Sequence, residues 1–323
     1  MNDLIPINYK IHLEPDLVNF TFGAFTQILL DAQNSVKEIP LNILELAIWN
    51  CTLLKDNQWV ECSFLVNTQK EELRILLPEP MTGNMTVRID YQGHINDKMA
   101  GFYRSGYMRR KKQKYIAVTQ FQESDARRAF PCMDHPAKKA TFDIETDVDE
   151  RLVAISNSPI KSETILDNGK KRVTFDRTPK MSTYLVFFGV GEFQSVKDST
   201  DPRVRVVTLP GKKKHAPLGL EFGRKALEFS EAYYGIPYPL KKLELIAIPD
   251  FAFGAMENWG AITFRENLLL YYPKITSKSG RQRICEVIAH EIAHQWFGNL
   301  VTPSDWKFLW LNESFATYFA YDI

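Results

Sequence analysis

The sequence predicts an α+β fold in which an antiparallel β-domain is followed by a mixed helical and strand segment. Two observations carry this. Over residues 1–195, short runs rich in Val, Ile, Phe, Tyr and Thr alternate with turn signals, and no helical period intervenes. Beyond Phe193 apolar residues recur at helical spacing, with strand-like runs between them. A length of 323 residues favours two domains, and 45% hydrophobic residues suffice to build two cores.

In chain order the strand-like runs are ELRILL (72–77), MTVRIDYQGHI (85–95), YIAVTQF (115–121), RLVAIS (151–156), RVTFDR (172–177) and YLVFFGVGEF (184–193). Turn signals such as NSPI and DNGK punctuate them. Such a series fits an antiparallel sandwich or open barrel. The stretch SVKDSTDP (195–202) reads as a polar link, which sets the domains at 1–195 and 196–323. After it, LGLEFGRKALEFSEAYY predicts a helix closed by Gly235. LELIAIP predicts a buried strand, and GRQRICEVIAHEIAHQWFG a long helix with Ser279 and Gln282 spaced as a capping box. The last stretch, FLWLNESFATYFAYDI, reads as an aromatic-rich helix carrying Glu313.

Charge and composition exclude several function classes. A formal net charge of +1 creates no field that would steer nucleic acid, so no nucleic-acid partner is expected. The basic runs RRKKQK (Arg109 to Lys114) and GKKK (Gly211 to Lys214) sit between strand-like segments and read as solvated hairpin loops. The N-terminus lacks the charged start and apolar run of a secretory signal. No stretch approaches 18 uninterrupted apolar residues, so no membrane span is expected. Four scattered cysteines (Cys51, Cys62, Cys132, Cys285) make no disulfide framework and read as free thiols. The expectation is a cytoplasmic protein.

The chemistry concentrates in HEIAH. On a helix, His290 and His294 lie one above the other, so both imidazoles can hold one metal ion, zinc by preference. Glu291 is rotated about 100° from His290 and about 60° the other way from His294, so it flanks that face without being a ligand. This position suits a general base beside a zinc-activated water. A structural histidine pair on a core helix is the bland alternative. The other histidines (His12, His94, His135, His215) have no partner at ligand spacing and read as structural or exposed. A catalytic zinc takes three protein ligands, and Glu313 follows His294 across a segment long enough for a loop and a second helix. A lone carboxylate amid Trp310, Leu311, Phe315, Tyr318 and Phe319 would be costly to desolvate without a cation. Spacing alone leaves Glu313 a plausible third ligand.

A second stretch, FGAMENWGAITF (Phe253 to Phe264), bears on which bond is cut. An enzyme that removes the first residue of a peptide must recognise a free α-ammonium, and a fixed carboxylate such as Glu257 does so most directly. Equally, Glu257 could be a surface turn residue in an aromatic loop.

Taken together, GAMEN, HEIAHQWFGNLVT and WLNES resemble the zinc aminopeptidase N family of gluzincin aminopeptidases. TQFQESDARRAFPCMDHPAKKATF (Thr119 to Phe142) is similar to that family's first-domain signature. The resemblance runs through nearly the whole chain in order. It implies a saddle-like β-domain followed by the start of a thermolysin-like catalytic domain. It also implies one zinc held by His290, His294 and Glu313, with Glu291 as general base. Substrate binding would fall to Gly254, Ala255, Met256, Glu257 and Asn258, with Glu257 on the α-ammonium, and to Gln122 from the first domain. The expected partners are peptides with a free N-terminus. The alanine in GAMEN, where related leukotriene hydrolases carry glycine, argues against epoxide hydrolysis.

The sequence also departs from the family pattern. PSDWKFLW has Asp305 early and Phe308 where aspartate is usual, and Ser314 stands where glycine is commoner. The family's oxyanion-stabilising tyrosine lies several dozen residues beyond the third ligand, while Tyr318 and Tyr321 share the short helix of Glu313 and are expected to point away from its face. The expectation is therefore a fragment that lacks the C-terminal part of the same enzyme. A non-catalytic zinc- and peptide-binding unit is the alternative function.

Overall fold

The structure is a computed structural model describing residues 4–167 and 169–322. Its elements in order are β1 Leu4–Asp16, β2 Thr21–Asn42, β3 Ala47–Lys55, β4 Gln58–Glu61, β5 Phe64–Asn67, β6 Glu72–His94, β7 Gly101–Arg109, β8 Lys112–Gln120, β9 Thr141–Asp149, β10 Val153–Ser156, β11 Ile160–Ile165, β12 Lys170–Phe175, β13 Phe188–Gly191, β14 Gln194–Lys197 and β15 Val204–Thr208. Then follow α1 Pro217–Tyr234, β16 Leu243–Ile248, β17 Ala255–Met256, β18 Ala261–Arg265, α2 Lys278–Ala293 and α3 Leu309–Asp322. The strand-rich first part and the helix-bearing second part agree with the α+β class read from sequence.

Two compact units form. The first comprises Met1–Arg104, Thr119–Glu150 and Ile160–Tyr184, and the second Ser105–Val118, Arg151–Pro159 and Leu185–Ile323.

The first unit is built on a nine-stranded sheet in the order β11-β12-β9-β1-β2-β6-β3-β4, with β5 also on β6. Alternation along β2 turns Phe22, Ala24, Thr26, Ile28 and Leu30 inward, as a half-buried strand requires. Tyr9 stacks on Phe142 at 5.1 Å with Phe130 edge-on to it at 6.1 Å, which closes the core. The runs ELRILL and MTVRIDYQGHI prove to be one strand, β6, whose register against β2 shifts between Ala32 and Glu38. Pro78 and Pro80 sit at this irregularity, where a missing N–H is tolerated. One pairing is parallel: β1 lies beside β9 with His12 opposite Glu145.

In the second unit a four-stranded sheet, β10-β13-β8-β7, accompanies a five-stranded one, β14-β15-β16-β18-β17. The β7–β8 connection is the hairpin read from RRKKQK, with Arg110 and Lys111 at φ 49° and 63°, as a tight two-residue turn requires. GKKK behaves otherwise, leading into a short 3-10 turn (Lys213–His215) ahead of α1. Part of the polar stretch after Phe193 forms β14, paired antiparallel with β15. Parallel neighbours flank β16, and all six of its residues are buried. Gly235 closes α1 in the left-handed conformation, as its position predicts.

The cap of α2 differs from the reading. Ser277, not Ser279, is the N-cap, its hydroxyl accepting from the Gly280 amide. Its backbone is extended, as a cap requires. The helix also ends at Ala293, where His294 becomes the C-cap and tight turns follow. All four cysteines are free. Among the described residues no helix is long and apolar enough to cross a membrane.

Candidate metal centre

The end of α2 presents two imidazoles on one face, with His290 Nε2 and His294 Nε2 3.1 Å apart. His294 Nδ1 lies 2.9 Å from the Phe297 carbonyl. That carbonyl can accept a hydrogen bond from Nδ1, which turns Nε2 toward His290.

Aromatic packing brings the third group. Phe315 and Phe319 of α3 stack on Phe297 at 5.0 and 5.2 Å, and Phe319 meets Tyr234 of α1 at 5.1 Å. This docking places Glu313 Oε2 3.4 Å from His290 Nε2 and 3.7 Å from His294 Nε2. Bonds of about 2.0–2.1 Å to a tetrahedral ion give ligand–ligand edges of roughly 3.3–3.4 Å, so the three observed spacings bracket those of a metal site. The turn between the helices needs Gly298 at φ 127°, because a Cβ there would lie 3.2 Å from Asn312 Nδ2 and 3.4 Å from His294 Nδ1.

One expectation about Glu313 is corrected. It is only partly desolvated: its side chain is 43% exposed, and Trp310 and Tyr318 are exposed as well. Its distances to the imidazoles, more than its burial, set it in this cluster. Tyr318 and Tyr321 are both exposed.

Buried carboxylates surround the histidines. Glu291 and Glu257 are 5% and 3% exposed, and Glu291 Oε2 and Glu257 Oε1 have no hydrogen-bond partner among the described residues. Burial, above all, pushes both carboxyls above the usual range. Burial works against a charged His294, but the carboxylates of Glu257, Glu313 and Glu291 overcome it and push the imidazole up to about 10. Hydrogen bonding to His290 and His294 holds the Glu313 carboxyl well below its ordinary value. Three carboxylates around two imidazoles make a site that attracts positive charge.

Glu257 is not a surface turn residue. It follows β17, the terminal strand of its sheet, which among the described residues pairs only with β18. Its backbone carbonyl accepts from Asn299 Nδ2 at 2.8 Å and Gln295 Nε2 at 3.1 Å, and Gln295 also donates to the Glu291 carbonyl. These bonds fasten the loop to the end of α2. Gly254 and Ala255 lie part-exposed at the sheet edge, whereas Met256 and Asn258 are buried. Asn258 Nδ2 donates to Thr263 Oγ1, which ties its side chain to β18. Gln122 lies in the turn after β8, in the first unit.

The structure thus brings together His290, His294, Glu313, Glu291 and Glu257. Sequence reasoning missed Gln295, Asn299 and Gly298, which position them. The available signal was HQWFGN, where polar residues interrupt an apolar run and two of them, Gln295 and Asn299, are fully buried. Asp305, noted as early, caps the 3-10 turn Trp306–Phe308 by accepting from the Lys307 amide.

Comparison with known proteins shows the family of the chain. The Peptidase M1 N-terminal domain profile matches residues 5–185, and the Peptidase family M1 domain profile matches residues 218–323. Aminopeptidase M1 of Arabidopsis thaliana is 42% identical over 98% of this chain and 37% of its own length. Aminopeptidase M1-B of Oryza sativa subsp. japonica is 40% identical over 98% of this chain and 36% of its own. The puromycin-sensitive aminopeptidase of Caenorhabditis elegans is 41% identical over 98% and 34%. The chain therefore spans little more than a third of the length of these curated relatives.

Proposed function

The chain belongs to peptidase family M1, and from that premise we propose that it carries the metal centre and amine-binding loop of a zinc aminopeptidase. One observation carries the reading: two imidazoles and a carboxylate converge at metal-ligand spacing beside a buried, unpaired glutamate. The donor set fits zinc, with His290, His294 and Glu313 as the residues that would hold it. Zinc supplies Lewis-acid polarisation of a carbonyl and a potent nucleophile at neutral pH.

Every other task falls to the chain's own residues. Glu291 takes the proton from the attacking water and returns it to the leaving amine. Its place beside the two imidazoles and its buried, unpaired Oε2 suit it to that task. Glu257, held through its main chain by Gln295 and Asn299, receives the substrate α-ammonium. The open edge of β17 at Gly254 and Ala255 lines the peptide as an added strand. The four free thiols support a cytoplasmic setting.

The chain's share of its relatives' length favours one second reading, a unit that holds zinc and a peptide N-terminus without turnover. Metal content measured alongside hydrolysis of an aminoacyl anilide and its N-acetylated analogue separates the two. Zinc with cleavage of the free amine alone supports the aminopeptidase. Zinc without turnover supports the binding unit, and cleavage of the blocked anilide refutes the exopeptidase assignment.

A further inference from the structure

The parallel pairing of β1 with β9 sets His12 opposite Glu145. With a period of two along each strand, His12 and Glu14 share one sheet face with Glu145 and Asp147. His12 is 5% exposed and stacks on Phe25 at 5.0 Å. Its Nδ1 lies 2.9 Å from Glu145 Oε1, and its Nε2 faces Glu14 Oε1 at 3.5 Å and Asp147 Oδ2 at 3.7 Å. The expectation that His12 lacks a partner at ligand spacing is thereby corrected. Two of those partners stand on β9, more than 130 residues away in sequence.

The two Nε2 distances are too long for good hydrogen bonds. They do approach the ligand–ligand edges of a four-coordinate ion, about 3.3–3.4 Å. They also nearly repeat the 3.4 and 3.7 Å that separate Glu313 from the imidazoles of the other site. A carboxylate on Nδ1, as Glu145 provides, is the partner that orients a metal-ligating imidazole and fixes its tautomer. Glu145 is itself held by Thr174 Oγ1 at 3.2 Å. Arg172 bonds both oxygens of Asp147 at 2.7 and 2.8 Å, and Lys170 Nζ lies 3.5 Å from Glu14 Oε2. Three carboxylates thus face two side-chain cations and one imidazole, and a further positive charge is accommodated at Nε2. Glu14 is 48% exposed on its side chain, which leaves the site reachable from solvent.

We propose that His12, Glu14 and Asp147 form a second divalent-metal site in the first unit, for zinc or a similar first-row ion that accepts imidazole and carboxylate. Glu145 positions His12 and is not itself a ligand. Bound metal would tie β1 to β9 and stabilise the unit by mass action. The proposal is independent of the function assigned to the second unit.

Zinc alone is the probe, with element analysis of the full chain after dialysis at fixed free zinc. One equivalent is expected to survive His294→Ala and to disappear when His12→Asn is added. In the His294→Ala background, Glu145→Gln is expected to weaken that equivalent about 10- to 100-fold. Glu14→Gln, at a half-exposed side chain that disturbs no core packing, is expected to weaken it too, and serves if His12→Asn fails to fold. A His294→Ala chain that takes up no zinc overturns the proposal. Uptake unchanged by Glu14→Gln overturns it equally.

Discussion

Replacing Glu257 with Gln keeps the shape of the side chain and removes its charge. The backbone should stay in place, because Gln295 and Asn299 hold the carbonyl of residue 257 and not its side chain. A hydrogen bond to a charged group contributes about 1.5–3 kcal/mol. At about 1.4 kcal/mol per tenfold, its loss should weaken binding of an amino-acid amide roughly ten- to 150-fold. The N-acetylated amide, which has no ammonium, should bind both proteins alike, and zinc content should not change. Stability carries a second signature. Burial raises the folded-state pKa of Glu257, so the folded chain holds its proton to higher pH than the unfolded chain. The carboxyl therefore costs nothing below its unfolded pKa of about 4.5, and its cost grows as pH rises above that value. Metal-free Glu257→Gln should accordingly be more stable than the parent at pH 7 and equal to it below pH of about 4. Calorimetric titration with the two amides and thermal melts across pH measure both effects. Equal losses for free and acetylated ligand, or loss of zinc, would refute the amine-binding role.

Glu291→Gln should leave zinc in place and lower aminoacyl-anilide hydrolysis about 10²–10⁴-fold in a protein that turns over, read as kcat with metal content alongside. Gly298→Ala should lower thermal stability by roughly 1–3 kcal/mol and weaken zinc binding, since φ of 127° strains any side chain there and a Cβ would crowd Asn312 and His294. Unchanged zinc affinity in that variant would remove Gly298 from the positioning of the site.

HEIAH announced its own geometry, because helical spacing alone stacks His290 over His294. Glu313 is legible as a candidate by distance along the chain, yet the aromatics around it leave it half-exposed, so desolvation argues for a cation only in part. What places it is the stacking of Phe315 and Phe319 on Phe297, a tertiary contact that no local pattern encodes. The fastening of Glu257 was hidden for a similar reason. Gln295 and Asn299 reach a main-chain carbonyl some forty residues earlier, and nothing in GAMEN marks that carbonyl as an acceptor. Strand class was readable from β-branched and aromatic runs, whereas the parallel β1–β9 pairing depends on a long-range crossing. That pairing gathers the His12 cluster, so its members were invisible as a group. The cap of α2 missed by two residues because Ser277 and Ser279 both suit the role, and only the extended backbone of Ser277 decides.

The central claim is that His290, His294 and Glu313 bind one zinc ion. A crystal of the zinc-loaded chain measured at the zinc absorption edge tests it most directly. The account predicts an anomalous peak about 2.0–2.1 Å from His290 Nε2, His294 Nε2 and a Glu313 oxygen. Zinc-loaded crystals with no peak among those three side chains would contradict it.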